Sequence, residues 1–320
     1  MAELKVKRSK FDQTLEGKRS KFDRKLDKIR ELEELGVLGQ KSVNRTLRKL
    51  LNNKLAMAGI VIFFIILLAS IFAPLLTSYD PLQVDMKSVL QKPSSEHLFG
   101  TDKVGRDVFA RVLYGGRISI LIGLGSALGC ATIGILLGCY GGYKGGWFDK
   151  IVLRFSEIFM SFPQLVLVLL LVTILGQSLT NLIIIFILTG WGSVYRMTRA
   201  QILSIREEEY VQSLKSFGLN DFLICYKHML PNAIGPILVN ITLSTAMFIL
   251  EEASLSFLGL GVPLEISTWG NILNAAQDMF TLQNNWWLWL PVGIIISLFV
   301  MSINFIGDGL RDTTDPTQQG

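Results

Sequence analysis

From Leu55 to Leu76 the chain has one polar side chain, Ser70, and comparable apolar runs return along its length. A helix needs roughly 20 apolar residues to cross the hydrocarbon of a bilayer. Leu55–Leu76 meets that length, and so does Ile118–Tyr140, whose many Gly and Ala residues allow close helix contact. Pro163–Gly176 is apolar but too short alone, so it must borrow Ile151–Phe162, which predicts a span kinked at Pro163. A fourth run starts near Leu182 and reaches Tyr195, and a fifth, Ala233–Leu258, is dotted with hydroxyls. The sixth is Trp287–Ile306, with Trp286, Trp287 and Trp289 as an interfacial belt. The pattern predicts an all-α polytopic membrane protein with about six transmembrane helices.

Composition agrees: half of the 320 residues are hydrophobic, and mean hydropathy is +0.44. The net charge of +5 is concentrated before the first span. A nucleic-acid binder would carry its basic surface on the folded domain, so that class is disfavoured and membrane lipid is the expected contact. Six spans put both termini on one side. Lys and Arg crowd the N-terminal region and the segments after the second and fourth runs, while Gly259–Asn285 contains neither. The positive-inside rule then places the protein in the cell membrane with both termini cytoplasmic. The late, long first run does not fit a cleavable signal peptide. Cys130, Cys139 and Cys225 lack metal or disulfide spacing.

The charged stretch EEEYVQSLKSFGLNDFLICYKHMLPN, Glu207–Asn232, lies between the fourth and fifth runs. Glu207–Phe217 reads as a helix with acids in its first turn, Gly218 as its left-handed stop, and Asn220 or Asp221 as the cap of a second short helix ending at Met229. Pro231 suits the first turn of the fifth span. Phe217, Leu219, Phe222, Leu223 and Tyr226 give the segment apolar surface. An amphipathic loop on lipid and a docking element for a cytoplasmic partner both fit.

This segment resembles the coupling loop of ABC-importer permeases: Glu-Ala-Ala, three residues, Gly, nine residues, Ile, any residue, Leu-Pro. Gly218, Leu230 and Pro231 fall at the matching spacings, whereas Gln212-Ser213-Leu214 replaces Glu-Ala-Ala and His228 replaces Ile. In the peptide-permease branch EYV and HMLPN fit closely, which moves the acidic contact to Glu208 or Glu209. HLFGTDKVGRDVFARVLYGGRISI (from His97) and EASLSFLGLGVP (from Glu252) also resemble the C-type subunit of oligopeptide and dipeptide importers. The resemblance covers roughly Asn52 to Pro316 and implies a type I ABC importer transmembrane domain. It divides the chain into a cytoplasmic extension (1–51), a first span with an outer elbow (52–114), a permease core (115–310) with its coupling loop at 206–231, and a tail (311–320).

The resemblance also implies partners: a second homologous permease subunit, two cytoplasmic ATPases holding ATP and magnesium, and an extracytoplasmic substrate-binding protein. Contact with the ATPases is expected from Glu208, Glu209, Ser213, Gly218, Asp221, His228, Leu230 and Pro231. The chain has no GxxxxGK[ST] loop, so it is expected to be a transport subunit that binds no cofactor itself. Oligopeptides or dipeptides are the expected cargo; nickel complexes or glutathione are alternatives. A self-contained secondary carrier is the alternative of a different class, but no repeat between the halves supports it. No catalytic or metal constellation is found either.

Two acids, Glu251 and Glu252, fall near the outer end of the fifth run, where they either line or gate a pathway or sit in headgroup water. Thr242, Ser244, Thr245 and Ser254 can line a pathway or join helices. In the outer elbow, Gly100 and Gly105 permit tight turns, Asp107 can cap the helix that follows, and Asp102 can pair with Arg106. That elbow is either a rigid support or a contact for the binding protein, and His97 reads as an interfacial residue. Arg154 and Glu157 are spaced to pair on one helix. RSKFDQTL at Arg8 and RSKFDRKL at Arg19 repeat after eleven residues, as a basic amphipathic helix would.

Overall fold

The computed structural model describes residues 50–314; the repeat at 8–26 and residues 315–320 lie outside the described residues. Among the described residues every long element is helical. The elements are α1 (Lys54–Ile71), α2 (Ala73–Leu76), α3 (Val108–Lys144), α4 (Gly146–Met160), α5 (Gln164–Leu175) and α6 (Leu179–Arg206), then α7 (Glu209–Ser216), α8 (Asp221–Leu223), α9 (Leu230–Phe257), α10 (Trp269–Leu273), α11 (Met279–Asn284) and α12 (Leu290–Thr314). Five helical stretches are long and apolar enough to cross a membrane, or six if the bent pair α4–α5 is one span. The chain is a multi-pass membrane protein.

Short polar side chains fix where these helices begin. The Asn53 side chain accepts from the Leu55 and Ala56 amides, Asp107 from Ala110, Ser178 from Asn181 and Thr268 from Asn271. The third span departs from the sequence expectation. Rather than a kink within one helix, α4 and α5 meet at 89° across Ser161–Pro163. Proline has no amide to extend α4 and disfavours helical backbone in Phe162, so the chain turns and restarts with Pro163 as the cap residue of α5.

The most extensive helix pair is α3 with α6. Gly134, Gly138 and Gly142 form a stripe at intervals of four facing Val194, Thr198 and Ile202. A Cβ added to Gly138 would stand 2.7 Å from the Thr198 Cβ and 2.9 Å from the Tyr195 carbonyl, so these backbones pack where any side chain would intrude. Helix α9 packs on both α3 and α6, and α12 joins α9 to α1. A fully buried core formed by Ile122, Ile185, Phe186 and Ile237 lies within the α3–α6–α9 unit, and a second, around Trp269, Ile249 and Phe299, ties α10 and α12 to it.

Candidate functional site

The segment between α6 and α9 is built as the sequence suggests as far as Gly218. Helix α7 buries Val211 and Leu214, leaving Glu208 and Glu209 exposed and Ser213 bonded to the Glu209 carbonyl at 2.9 Å. Gly218 has φ +70°; its amide bonds the Lys215 carbonyl, and the Leu219 amide bonds that of Leu214, which closes the helix in a left-handed turn. Asn220 is the cap, its side chain accepting from the Phe222 amide at 3.0 Å. Asp221 instead accepts from the Tyr143 hydroxyl at 3.1 Å.

The second short helix does not end before the fifth span. Residues 224–229 form a π-helical turn, with the Leu230 amide bonded to the Cys225 carbonyl, and the chain then runs straight into α9. Proline at 231 cannot donate to the carbonyl four residues back, and the wider turn accommodates the missing bond without breaking the axis. Tyr226 donates to the Leu136 carbonyl at 2.8 Å, and Asn232 to the Tyr210 hydroxyl at 3.1 Å. His228 and Leu230 are half-buried and Pro231 exposed. The segment is thus fastened to the end of α3 and continuous with α9.

The two acids of α9 face different surroundings. Glu252 is fully buried and accepts from Ser256 and Thr268 at 2.8 Å and from Ser119 at 3.3 Å. It thereby joins α3, α9 and the segment leading into α10 inside the subunit. Gly270 is required beside it, since a Cβ there would come 2.9 Å from the Glu252 carboxylate. Glu251 is half-buried, with the Gln164 amide nitrogen 3.0 Å from Oε2.

At the opposite end from α7, residues 77–107 fold into a compact elbow. Asp102 accepts from Arg106 Nε and Arg111 Nη1, both at 2.7 Å, and from the Val104 and Arg106 amides. Burial alone would raise the Asp102 pKa; the Arg106 amide, the Arg111 guanidinium, the Val104 amide and the Arg106 side chain together hold it below the usual carboxylate value. Asp107 caps α3 through one oxygen and holds His97 Nδ1 at 2.9 Å with the other. His97 is therefore an internal residue, buried under the Tyr79 ring, and not an interfacial one. Gly100 and Gly105 have φ of +69° and +78°; a Cβ on Gly100 would meet Trp287, and one on Gly105 would collide with the Asp85 carbonyl. Lys103 bonds Asp278 at 2.9 Å, fastening the elbow to the cap of α11.

Residues 133–319 match the family described as "Binding-protein-dependent transport system inner membrane component", and residues 43–93 match the N-terminal TM domain of oligopeptide transport permease C. The oligopeptide transport system permease protein OppC of Bacillus subtilis is 40% identical over 266 residues, covering 83% of this chain and 86% of that protein. The dipeptide transport system permease protein DppC of Alkalihalophilus pseudofirmus is 40% identical over 269 residues, covering 84% and 88%. The chain belongs to the ABC-importer permease family.

Within this permease, the residues read from the sequence gather at three places: the α6–α9 segment, the α9 acids and the elbow. Arg154 and Glu157 pair at 2.8 Å on α4, as their spacing suggested. Sequence reasoning missed the anchor of α4. The Arg199 Nε and Nη2 atoms each lie 2.6 Å from an Asp149 oxygen, and the Tyr195 hydroxyl adds a third bond at 2.9 Å. The i,i+4 spacing of Tyr195 and Arg199 was the available signal, but nothing in the sequence pointed to Asp149 as their common partner. Gln164, the partner of Glu251, was missed for the same reason.

Proposed function

We propose that this chain is one permease half of an ATP-driven peptide importer, with both termini cytoplasmic. It pairs with a second homologous permease, takes mechanical work from two cytoplasmic ATPases that hold ATP and magnesium, and receives cargo from an extracytoplasmic binding protein. The relatives named for oligopeptide and dipeptide transport support the cargo. The observation that carries the coupling role is the α6–α9 segment: the exposed helix α7, anchored by Val211 and Leu214, is followed across the Gly218 turn by residues that are bonded to α3 and run into a membrane-length helix. A push on α7 would be transmitted to α3, α6 and α9 together, since Tyr226 and Asp221 hold the segment to α3. Glu208, Glu209 and Gly218 are exposed, as contact with a partner requires, and Glu251 is the pathway candidate.

Mild-detergent purification from the native membrane, with the co-purifying proteins identified by mass spectrometry, tests the assembly. One homologous permease plus ATPase subunits is the expected set; a stable chain recovered alone after gentle extraction would reject it. Gly218→Val tests the coupling. A β-branched residue at φ +70° is strained, so the turn after α7 must change. ATP-dependent peptide uptake in proteoliposomes should fall about tenfold, within the range of ordinary coupling energies, while the amount of inserted chain stays near wild type. Uptake at the wild-type rate would remove the segment from the mechanism.

A further inference from the structure

We infer that Glu251 is an ammonium-binding carboxylate in the translocation pathway, positioned by Gln164 to meet the amino terminus of a passing peptide. The inference rests on the proposed peptide-import function and adds a recognition chemistry to it.

Glu251 and Glu252 are adjacent on α9 and differ in what satisfies them. Glu252 has three hydroxyl donors inside the subunit. Glu251 has one neutral donor, Gln164, and among the described residues no Lys, Arg or His lies within ion-pair distance of it. Its carboxylate sits inside a membrane-length helix, and the residues one turn either side and just before it, Met247, Ser254 and Leu250, are exposed. A charged side chain is costly against lipid, most at the bilayer centre and less towards a helix end, and Gln164 half-buries this one against the start of α5, which favours a seam facing protein or a water-filled path.

The second half of the argument is the break in the neighbouring span. Gln164 is the first residue of α5, at the 89° bend after α4, so the span opens beside the acid. Broken helices at membrane depth are tolerated where they line a cavity or are buried in protein. Gln164 fixes Oε2 and leaves Oε1 without a donor from the described residues. A peptide backbone always presents an ammonium group unless its amino terminus is blocked, whatever its side chains. One acid at this point therefore recognises the cargo class and not its sequence, by a charge-assisted hydrogen bond.

The test uses the full transporter in proteoliposomes, with trialanine and N-acetyl-trialanine delivered by a binding protein shown to hold both. Glu251→Gln keeps the shape and a hydrogen bond to Gln164; Glu251→Asp keeps the charge. Trialanine uptake should fall about tenfold in Glu251→Gln through a raised KM and recover in part in Glu251→Asp, with N-acetyl-trialanine uptake unchanged by either substitution. Equal trialanine uptake by wild type and Glu251→Gln would overturn the assignment, as would an equal loss for both peptides, which marks a structural role. If the wild-type transporter moves no peptide at all, it is the proposed peptide-import function that fails.

Discussion

Gly138→Leu should separate α3 from α6 and leave too little of the chain folded to purify. The site has no free volume: the added Cβ alone would stand 2.7 Å from the Thr198 Cβ, and the Tyr195 carbonyl at 2.9 Å cannot rotate away. Overpacking a filled interior costs about 1–3 kcal/mol even where side chains can shift, and here the obstacle includes backbone. The loss would spread, because Asp149 holds α4 through Tyr195 and Arg199 of the same α6 face. Gly125 on the same helix is the control: a Cβ there meets nothing within 4 Å among the described residues, so Gly125→Ala should purify and melt like wild type. Monodisperse yield and thermal unfolding of the three chains in one detergent make the comparison. Wild-type behaviour of Gly138→Leu would mean that the two helices do not approach along this stripe.

That stripe also shows how far the sequence could be read. Gly and Ala in the second apolar run already implied close packing, because small residues in a membrane helix have little other use. Which helix they face is a long-range fact: Thr198 lies sixty residues from Gly138, a separation that periodicity does not encode. Local devices were legible for the converse reason. The Gly218 turn, the Asp107 cap and the Asp102–Arg106 pair each join residues a few positions apart, and all three are present. Pro163 and Pro231 reach two different outcomes that proline permits. At 163 the chain turned sharply, whereas at 231 a π turn absorbed the missing donor. Sequence identifies the disrupted bond but not the surroundings that repair it. The α9 acids make the same point, since adjacent positions on a helix look in directions about 100° apart, and only the packed structure tells Glu252, held by three hydroxyls, from Glu251.

Asp102→Asn should detach the elbow from α3 while leaving the membrane helices assembled. Arg111 is the reason: its side chain is 6% exposed, its Nη1 is held by Asp102 at 2.7 Å, and its Nε has no partner among the described residues. Removing the carboxylate leaves a buried cation unpaired, which costs about 3–5 kcal/mol. Unfolding temperature should drop by roughly 10 °C, and residues 77–107 should become open to protease. Arg106, more exposed than Arg111, should matter less when changed to Ala. Because the folded Asp102 pKa is lowered, its contribution is complete above the usual carboxylate pKa of about 4 and fades as pH falls through the lower folded value. The wild-type elbow should therefore loosen only in strong acid, and Asp102→Asn should have lost that acid sensitivity. The deciding measurement is the double variant Asp102→Asn/Arg111→Met. If the unpaired charge is what destabilises, deleting it must restore much of the lost stability; a double variant no more stable than Asp102→Asn would show that the amide bonds at Val104 and Arg106, and not the buried ion pair, hold the elbow.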